Sequence, residues 1–264
     1  MIKIGSSLKN LYLSEVKTDL ISTSKYSKNI ITEKDILTLP KPVQRYIRYC
    51  GYLDKEKMVN AKTVWKDIDF KTAQNKKWIR IGCLQYNSVS KPTRIVYLQS
   101  KILGVFPFEA RDKYQGGKGN MLIKLLKLFT IADAKGVEMD KSGLVTVLAE
   151  MSIIPTYALQ SYVKWETIDD YNAKATLTYN NIKVSGTFSF SDKGEMKSFY
   201  TENRYFAEKD GTFKNIPWSI KIDNYIERNG LKIPNKLKAM WHLKEGDFEY
   251  FKGNISNIEY NVME

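Results

Sequence analysis

The sequence predicts a mainly β protein of the α+β class: a large curved antiparallel sheet, or half-open barrel, of about ten strands covered by a few helices. Two observations predict it. Apolar and polar residues alternate along most of the chain after residue 60, and turns rich in Gly, Asn and Asp separate the alternating stretches. Tyrosine is also abundant, with 17 among 264 residues, and aromatic rings suit a half-buried pleated surface.

The beginning of the chain has little pattern. Residues 1–31 are polar, so we expect a loosely ordered segment there and a single β-rich domain over 32–264. The domain should open with a short helix, because Thr32 can cap it while Asp35 reaches back to the cap.

Two longer segments have the periodicity of an amphipathic helix. The first runs from Pro42 to Cys50, with apolar residues three and four positions apart. The second covers residues 143–152, with Ser142 as the expected N-cap. Both helices would cover the apolar face of the sheet, which otherwise has to close on itself.

The strands are clearest in the carboxy-terminal half. Residues 182–190 alternate without error after an Asn180-Asn181 turn. Residues 94–98 are apolar on both faces, so this strand should be covered on both sides of the sheet. The other expected strands are 64–70, 77–86, 106–114, 173–179, 196–206, 218–225, 237–243 and 248–260.

Positive charge is concentrated in one stretch. The net charge is +13, and residues 61–135 hold 15 basic and 5 acidic side chains. Such a stretch can attract an anionic membrane surface, an acidic ligand or nucleic acid, or it can be a solvated face. Basic and aromatic residues alternate there without a nucleic-acid motif, so nucleic acid is the less favoured partner. Within it, residues 121–131 fit a strand, a buried helix or a membrane-surface helix.

Few residues point to chemistry. The two cysteines, Cys50 and Cys83, have apolar neighbours and are expected to be buried thiols. His242 is the single histidine and has no metal-ligand partners at the usual spacing, so we expect neither a metal nor a cofactor. No signal peptide or transmembrane run is visible, and we therefore expect a cytoplasmic location or a peripheral one at the inner membrane face.

Several polar residues fall on the apolar side of predicted elements. Asp112 alternates in phase with apolar residues, and Glu150 lies at the edge of the stripe of helix 143–152. Glu202 and Arg204 would share one strand face, either as an ion pair or as the polar floor of a cavity. The candidate ligand-binding residues are Glu150, Arg111, Asp112, Tyr114, Tyr157, Glu202 and Arg204. No catalytic residue is predicted.

One motif resembles a known family. The segment 39–49, LPKPVQRYIRY, resembles the LP-x-PVQRY opening of a bacterial family of unknown function. Further matches follow in order, and the resemblance extends to about residue 245: RDKY at 111–114, GKGNM at 117–121, LAE at 148–150, PTYAL at 155–159, Trp165, Pro217-Trp218 and Ile233-Pro234. The fold that it implies is similar to the open half-barrel of lipoprotein-localisation factors, which hold acyl chains in an apolar groove.

Together these observations predict a non-enzymatic binder of an apolar or amphipathic, lipid-like ligand in a curved-sheet cavity. The basic stretch would face an anionic headgroup or membrane surface. Two alternatives stay open: an enzyme of unrecognised class that uses Glu150 or Asp112 as acid or base, and a basic-surface module for anionic partners.

Overall fold

The computed structural model describes residues 7–23, 29–102, 105–208 and 210–263, and these contain one antiparallel sheet of 13 strands and a separate two-stranded hairpin. The strands are β1 (Asn60–Phe70), β2 (Ile79–Ser88), β3 (Thr93–Ile102), β4 (Phe106–Gln115), β5 (Lys118–Leu125), β6 (Phe129–Ala134), β7 (Val163–Thr167), β8 (Asn172–Tyr179), β9 (Ile182–Phe190), β10 (Met196–Thr201), β11 (Tyr205–Ala207), β12 (Phe213–Asn215), β13 (Trp218–Arg228), β14 (Leu231–Leu243) and β15 (Gly246–Tyr260). The helices are α1 (Leu8–Thr23), α2 (Glu33–Ile36), α3 (Lys41–Tyr49) and α4 (Val137–Ala149). The predicted fold class is confirmed, with more strands than the ten expected.

Two meanders form the large sheet, and the first and last strands join them. The strand order is β6-β5-β4-β3-β2-β1-β15-β14-β13-β10-β9-β8-β7. β6 and β7 are the two edges and do not pair with each other, so the sheet is open. The hairpin β11–β12 lies between β10 and β13 in the chain and stands outside the sheet.

The sheet curves around α4, which contacts β5 in one meander and β9 in the other. The helix approaches β5 so closely that a Cβ at Gly119 would clash with the carbonyl oxygen of Met139. Asp140 accepts a hydrogen bond from the Gly119 N–H at 2.7 Å. The far ends of the meanders also meet, because the Asn180 side chain donates to the carbonyl oxygen of Gly116 at 2.8 Å.

The predicted helices are present, with one shift. Thr32 and Asp35 form the expected capping box at α2. α4 begins at Val137, earlier than predicted, and Ser142 is therefore inside the helix and does not cap it. Its hydroxyl instead accepts a hydrogen bond from the Tyr205 N–H at 3.0 Å, which ties the β11–β12 hairpin to the helix.

The loosely ordered segment expected over 1–31 contains α1, a helix of 16 residues. Residues 1–6 and 24–28 of that segment lie outside the described residues. Every fourth residue of α1 is a buried apolar residue that faces the sheet. This stripe is narrower than the usual pattern at positions i, i+3, i+4 and i+7. The buried apolar side chains are Leu8, Tyr12, Val16 and Leu20, and Asp19 is buried beside them.

α1 covers the convex face of the sheet. Ile95 and Tyr97 of β3 pack against it, while Val96 and Leu98 point to the concave face. The prediction that this strand is covered on both sides is confirmed. The ambiguous residues 121–131 form the β5–β6 hairpin.

The packing of α1 predicts that a leucine-to-alanine substitution lowers the free energy of unfolding by different amounts at two positions. Leu20→Ala removes buried contacts and should lower the free energy of unfolding by about 2–3 kcal/mol. Leu13 is half exposed on the same helix, so Leu13→Ala should cost less than about 0.5 kcal/mol. Urea unfolding measures both values, and equal costs would show that α1 is undocked in solution.

Candidate functional site

A cavity of about 270 Å³ lies between the concave face of the sheet and α4. Strands of both meanders line it, and α4 and the following turn, Glu150–Ser152, cover it. Its walls are mostly aromatic and aliphatic. The apolar lining includes Trp65, Phe70, Ile81, Leu98, Trp218 and Phe251.

The strand register makes the lining of the cavity change from polar at one end to apolar at the other. Arg94 pairs with Asn87, and Val96 pairs with both Gln85 and Asp112, so polar groups of neighbouring strands lie side by side near α4. In the other direction along the same strands the lining becomes Leu98, Ile81 and Phe70. One end of the cavity is therefore polar and the other is apolar.

Arg94 is the centre of the polar end. Its Nε donates to Glu150 at 2.7 Å and its Nη1 donates to Asp112 at 2.5 Å. All three side chains are largely buried, with exposed fractions of 14%, 12% and 30%. Burial opposes the charge of Arg94, but the two carboxylates hold the pKa of its guanidinium above the usual value.

A chain of hydrogen bonds extends this cluster across the sheet. The Trp65 indole donates to Gln85 at 3.0 Å, the Gln85 amide donates to Asn87 at 2.8 Å, and the Asn87 amide donates to Glu150 at 2.7 Å. Since each amide is oriented by its neighbours, the polar end is held rigidly.

Arg204 is the second guanidinium of the cavity. Its Nη1 donates to the Ser142 carbonyl oxygen at 3.0 Å and to the Thr146 hydroxyl, and its Cζ lies 4.4 Å from the ring centroid of Trp218. In the described chain no carboxylate lies within ion-pair distance, and its Nε has no hydrogen-bond partner. Burial lowers the pKa of Arg204, and Tyr250 and the nearby carboxylates offset this only partly.

The structure brings three of the seven candidate residues to the cavity: Glu150, Asp112 and Arg204. Asp112 has the partner that a buried carboxylate needs. Glu202 is exposed and accepts from the Tyr200 hydroxyl, so the expected Glu202–Arg204 pair does not form. The reason is that β10 ends at Thr201, and residues 202–204 leave the strand alternation.

The other three candidates lie elsewhere. Arg111 is on the convex face, 3.5 Å from Glu15 of α1, because neighbouring strand residues point to opposite faces. Tyr114 is buried against α4 at Gly143. Tyr157 is fully buried and donates to the Ser88 carbonyl oxygen at 3.0 Å, just behind Asn87.

Sequence analysis did not single out Arg94, Gln85 and Asn87 as site residues. A usable signal exists: Gln85 and Asn87 continue the alternation that places Cys83 on the apolar face, and Arg94 does the same before Val96. Several buried polar residues at successive inward positions indicate a polar patch, whereas a single one of them does not.

His242 takes part in a different arrangement. Its Nε2 is 2.9 Å from the Ser219 hydroxyl and its Nδ1 is 2.7 Å from Asp247. The order of contacts is that of a hydrolytic triad. Ser219, however, is buried near the start of β13 with its backbone paired to Tyr200 and Met240, and Asp247 is exposed. A nucleophile needs access and free oxyanion donors, so these contacts indicate a structural role.

The basic and aromatic residues of the 61–135 stretch do not form one surface. Trp65 and Arg94 point into the cavity, Arg111 contacts α1, and Arg80 is exposed beside Asp69. Among the described residues, no three potential metal ligands are gathered. None of the described helices has the length and apolar character of a membrane span.

The chain belongs to a family of unknown function, DUF6544, whose model matches residues 29–253. None of the curated proteins matches it. Among solved structures it is similar to a LolA superfamily protein from Nitrosomonas europaea, with 10% identity, a TM-score of 0.43 and coverage of 84% of this chain and 94% of that one. It is also similar to a DUF1329 family protein from Desulfovibrio piger, with 10% identity, a TM-score of 0.37 and coverage of 85% and 95%.

Removing the guanidinium at the polar end should destabilise the fold. Arg94→Met leaves two buried carboxylates unpaired and should cost about 3–5 kcal/mol at pH 7. Denaturant unfolding at pH 7 measures this loss.

Arg80→Met is the matched control, since Arg80 also contacts two carboxylates, those of Asp67 and Asp69, but at the surface. It should cost less than about 1 kcal/mol. An equal loss in both variants would contradict the role given to Arg94.

Both cysteines should resist thiol reagents in the folded protein. Burial raises the pKa of Cys83, in the cavity wall, and of Cys50 to about 12. Because the thiolate is the reactive form, labelling at pH 8 should require unfolding. The folded state keeps both thiols protonated, so stability should fall as pH rises above about 9. Rapid labelling of native protein would contradict this.

Proposed function

We propose that this protein binds an apolar or amphipathic, lipid-like molecule in the concave cavity. The observation that carries the proposal is the grading of one cavity from a rigid polar end, at Arg94 and Arg204, to an apolar end, at Phe70 and Ile81. A molecule with a polar head and a hydrocarbon tail matches both ends.

The size of the cavity supports a small ligand. Its volume is just below the roughly 300–1,000 Å³ typical of small-molecule sites, and its lining has the usual mixture of apolar walls and a few polar groups. An apolar tail between Ile81, Leu98 and Phe251 would leave water and gain contact with already buried side chains.

Arg204 supports a head that accepts hydrogen bonds. All its observed hydrogen bonds come from Nη1, so the guanidinium keeps unused donors at the cavity. Arg94, by contrast, is committed to Glu150 and Asp112. A carboxylate, phosphate or ester oxygen placed beside Arg204 would give it the partner that the described residues do not provide.

The alternative of an acid–base enzyme has less support. Glu150 and Asp112 both accept hydrogen bonds from Arg94, and Glu150 also accepts from Asn87. Both oxygens of Glu150 already accept hydrogen bonds, so neither is free to take a proton from a substrate, and a binding role uses the cluster as it stands. Under the binding proposal, Glu150→Gln should leave any ligand in place.

Native mass spectrometry of the purified protein, followed by organic extraction, tests the proposal. We expect a stoichiometric amphiphile, or saturable binding of a fluorescent fatty acid by the delipidated protein. Ala239→Phe fills part of the cavity and should weaken binding at least about tenfold, since the tail loses its space.

Ala207→Phe is the matched control, because Ala207 is exposed on β11. It should bind like the unaltered protein, and thermal unfolding shows whether both variants fold. An apo protein that binds no amphiphile, or equal binding by both variants, would overturn the proposal.

A further inference from the structure

Two neighbouring hairpins expose apolar side chains at one end of the sheet. Val105 and Phe106 are at the turn from β3 to β4, and four more residues belong to the β5–β6 hairpin. Exposed fractions range from 36% to 70%. The six residues, called here the tip surface, are Val105, Phe106, Leu126, Leu128, Phe129 and Ile131.

The two hairpins stand side by side. Phe106 pairs with Ile102 at the start of β4, and two residues further Phe108 pairs with Leu125 at the end of β5. The turns that follow these pairs therefore project from the same end of adjacent strands. A contiguous exposed apolar group of this kind marks an interaction site more often than scattered single residues do.

The turn of the second hairpin is built at a conformational cost. Leu126 and Lys127 have φ values of 55° and 60°. Such left-handed positions in two-residue turns favour Asn or Gly, as at Asn180-Asn181 in this chain. Here the turn places a leucine and a lysine at the tip, followed directly by Leu128 and Phe129.

Positive charge surrounds the tip surface. Lys101, Lys124 and Lys127 flank the apolar residues, and the sequence has no acidic residue within 99–108 or 123–132. The next carboxylates along the chain are accounted for. Glu109 is buried, accepts from the Tyr97 hydroxyl and lies 3.7 Å from the ammonium group of Lys127, and Asp133 pairs with Lys135.

We propose that the tip surface inserts into the interfacial region of an anionic lipid bilayer. Apolar side chains at the ends of hairpins can enter the boundary between headgroups and acyl chains, while flanking lysines stay among anionic headgroups. A protein partner would need carboxylates to match the lysines and a pocket to match two hairpins. An anionic bilayer supplies negative charge and an apolar interior without needing a specific shape.

The register places the tip surface at the apolar end of the cavity. Gln99 pairs with Gly82 and with Glu109, and Ile81, one residue beyond Gly82, already lines the cavity. Docking at the tips would bring that end toward the bilayer. Docking of the tip surface depends on its exposure and charge, and does not require a ligand in the cavity.

Vesicle co-sedimentation tests the proposal with the full chain. We expect binding to phosphatidylcholine vesicles that contain about one third phosphatidylglycerol, and much weaker binding to phosphatidylcholine alone. The double variant Leu128→Ser, Phe129→Ser should lower the partition coefficient roughly 100-fold, because each inserted large side chain contributes about tenfold. Lys101→Glu with Lys124→Glu should reduce binding to the anionic vesicles and leave the weak binding to phosphatidylcholine vesicles unchanged.

Ile168→Ser with Tyr171→Ser is the matched control, since both residues are about half exposed on the β7–β8 turn, outside the tip surface. It should change binding less than twofold. Phe129→Trp should shift its emission to the blue on anionic vesicles, and Ile168→Trp should not.

Three outcomes would overturn the proposal: no vesicle binding by the unaltered protein, equal losses in the tip and control variants, or a dimer in solution that the tip variant alone converts to monomer. The last would assign the tip surface and edge strand β6 to a second copy of the chain. Ala239→Phe should still bind vesicles, so failure of the cavity proposal and failure of this one are distinguishable.

Discussion

The ion-pair cluster of Arg94 is the interaction on which the arrangement of the concave face depends. Arg94 belongs to β3, Asp112 to β4 and Glu150 to the turn after α4, so one guanidinium ties two strands to the helix that the sheet wraps. Charged groups that have left water need this geometry, because a missing partner costs more than the pair gains. An apolar cluster there would tolerate sliding of the helix against the sheet, whereas directional hydrogen bonds permit one position.

Local patterns were sufficient to predict much of the fold. The alternation in 182–190 and the capping box at Thr32 depend on neighbours in sequence, and both were predicted correctly. α1 was missed because its stripe is narrow and its partner strands are far along the chain. The start of α4 was placed too late because its first turn is fixed by the contact between Asp140 and Gly119. These residues are far apart in sequence, so no periodic pattern reveals their contact.

The site was predicted only in part, for a related reason. Alternation assigned Asp112 to the apolar side correctly, yet Arg111 and Tyr114 were grouped with it although one lies on the other face and one lies beneath α4. Arg204 was placed by extending β10 through residues where the strand has ended. Which charged groups meet depends on pairing between strands, and pairing partners are set by the whole sheet.

The junction between β1 and β15 has a consequence for how the chain folds. The amino-terminal meander can form from strands that follow one another closely, but its joining strand pairs with residues such as Ile255, about 190 positions later than Trp65. Closing so long a loop is entropically slow, and during synthesis the partner strand emerges after every other described strand of the sheet. Until then the hydrogen-bonding edge of β1 is exposed and can pair with the wrong strand. Misfolding and chaperone binding would therefore begin at this edge.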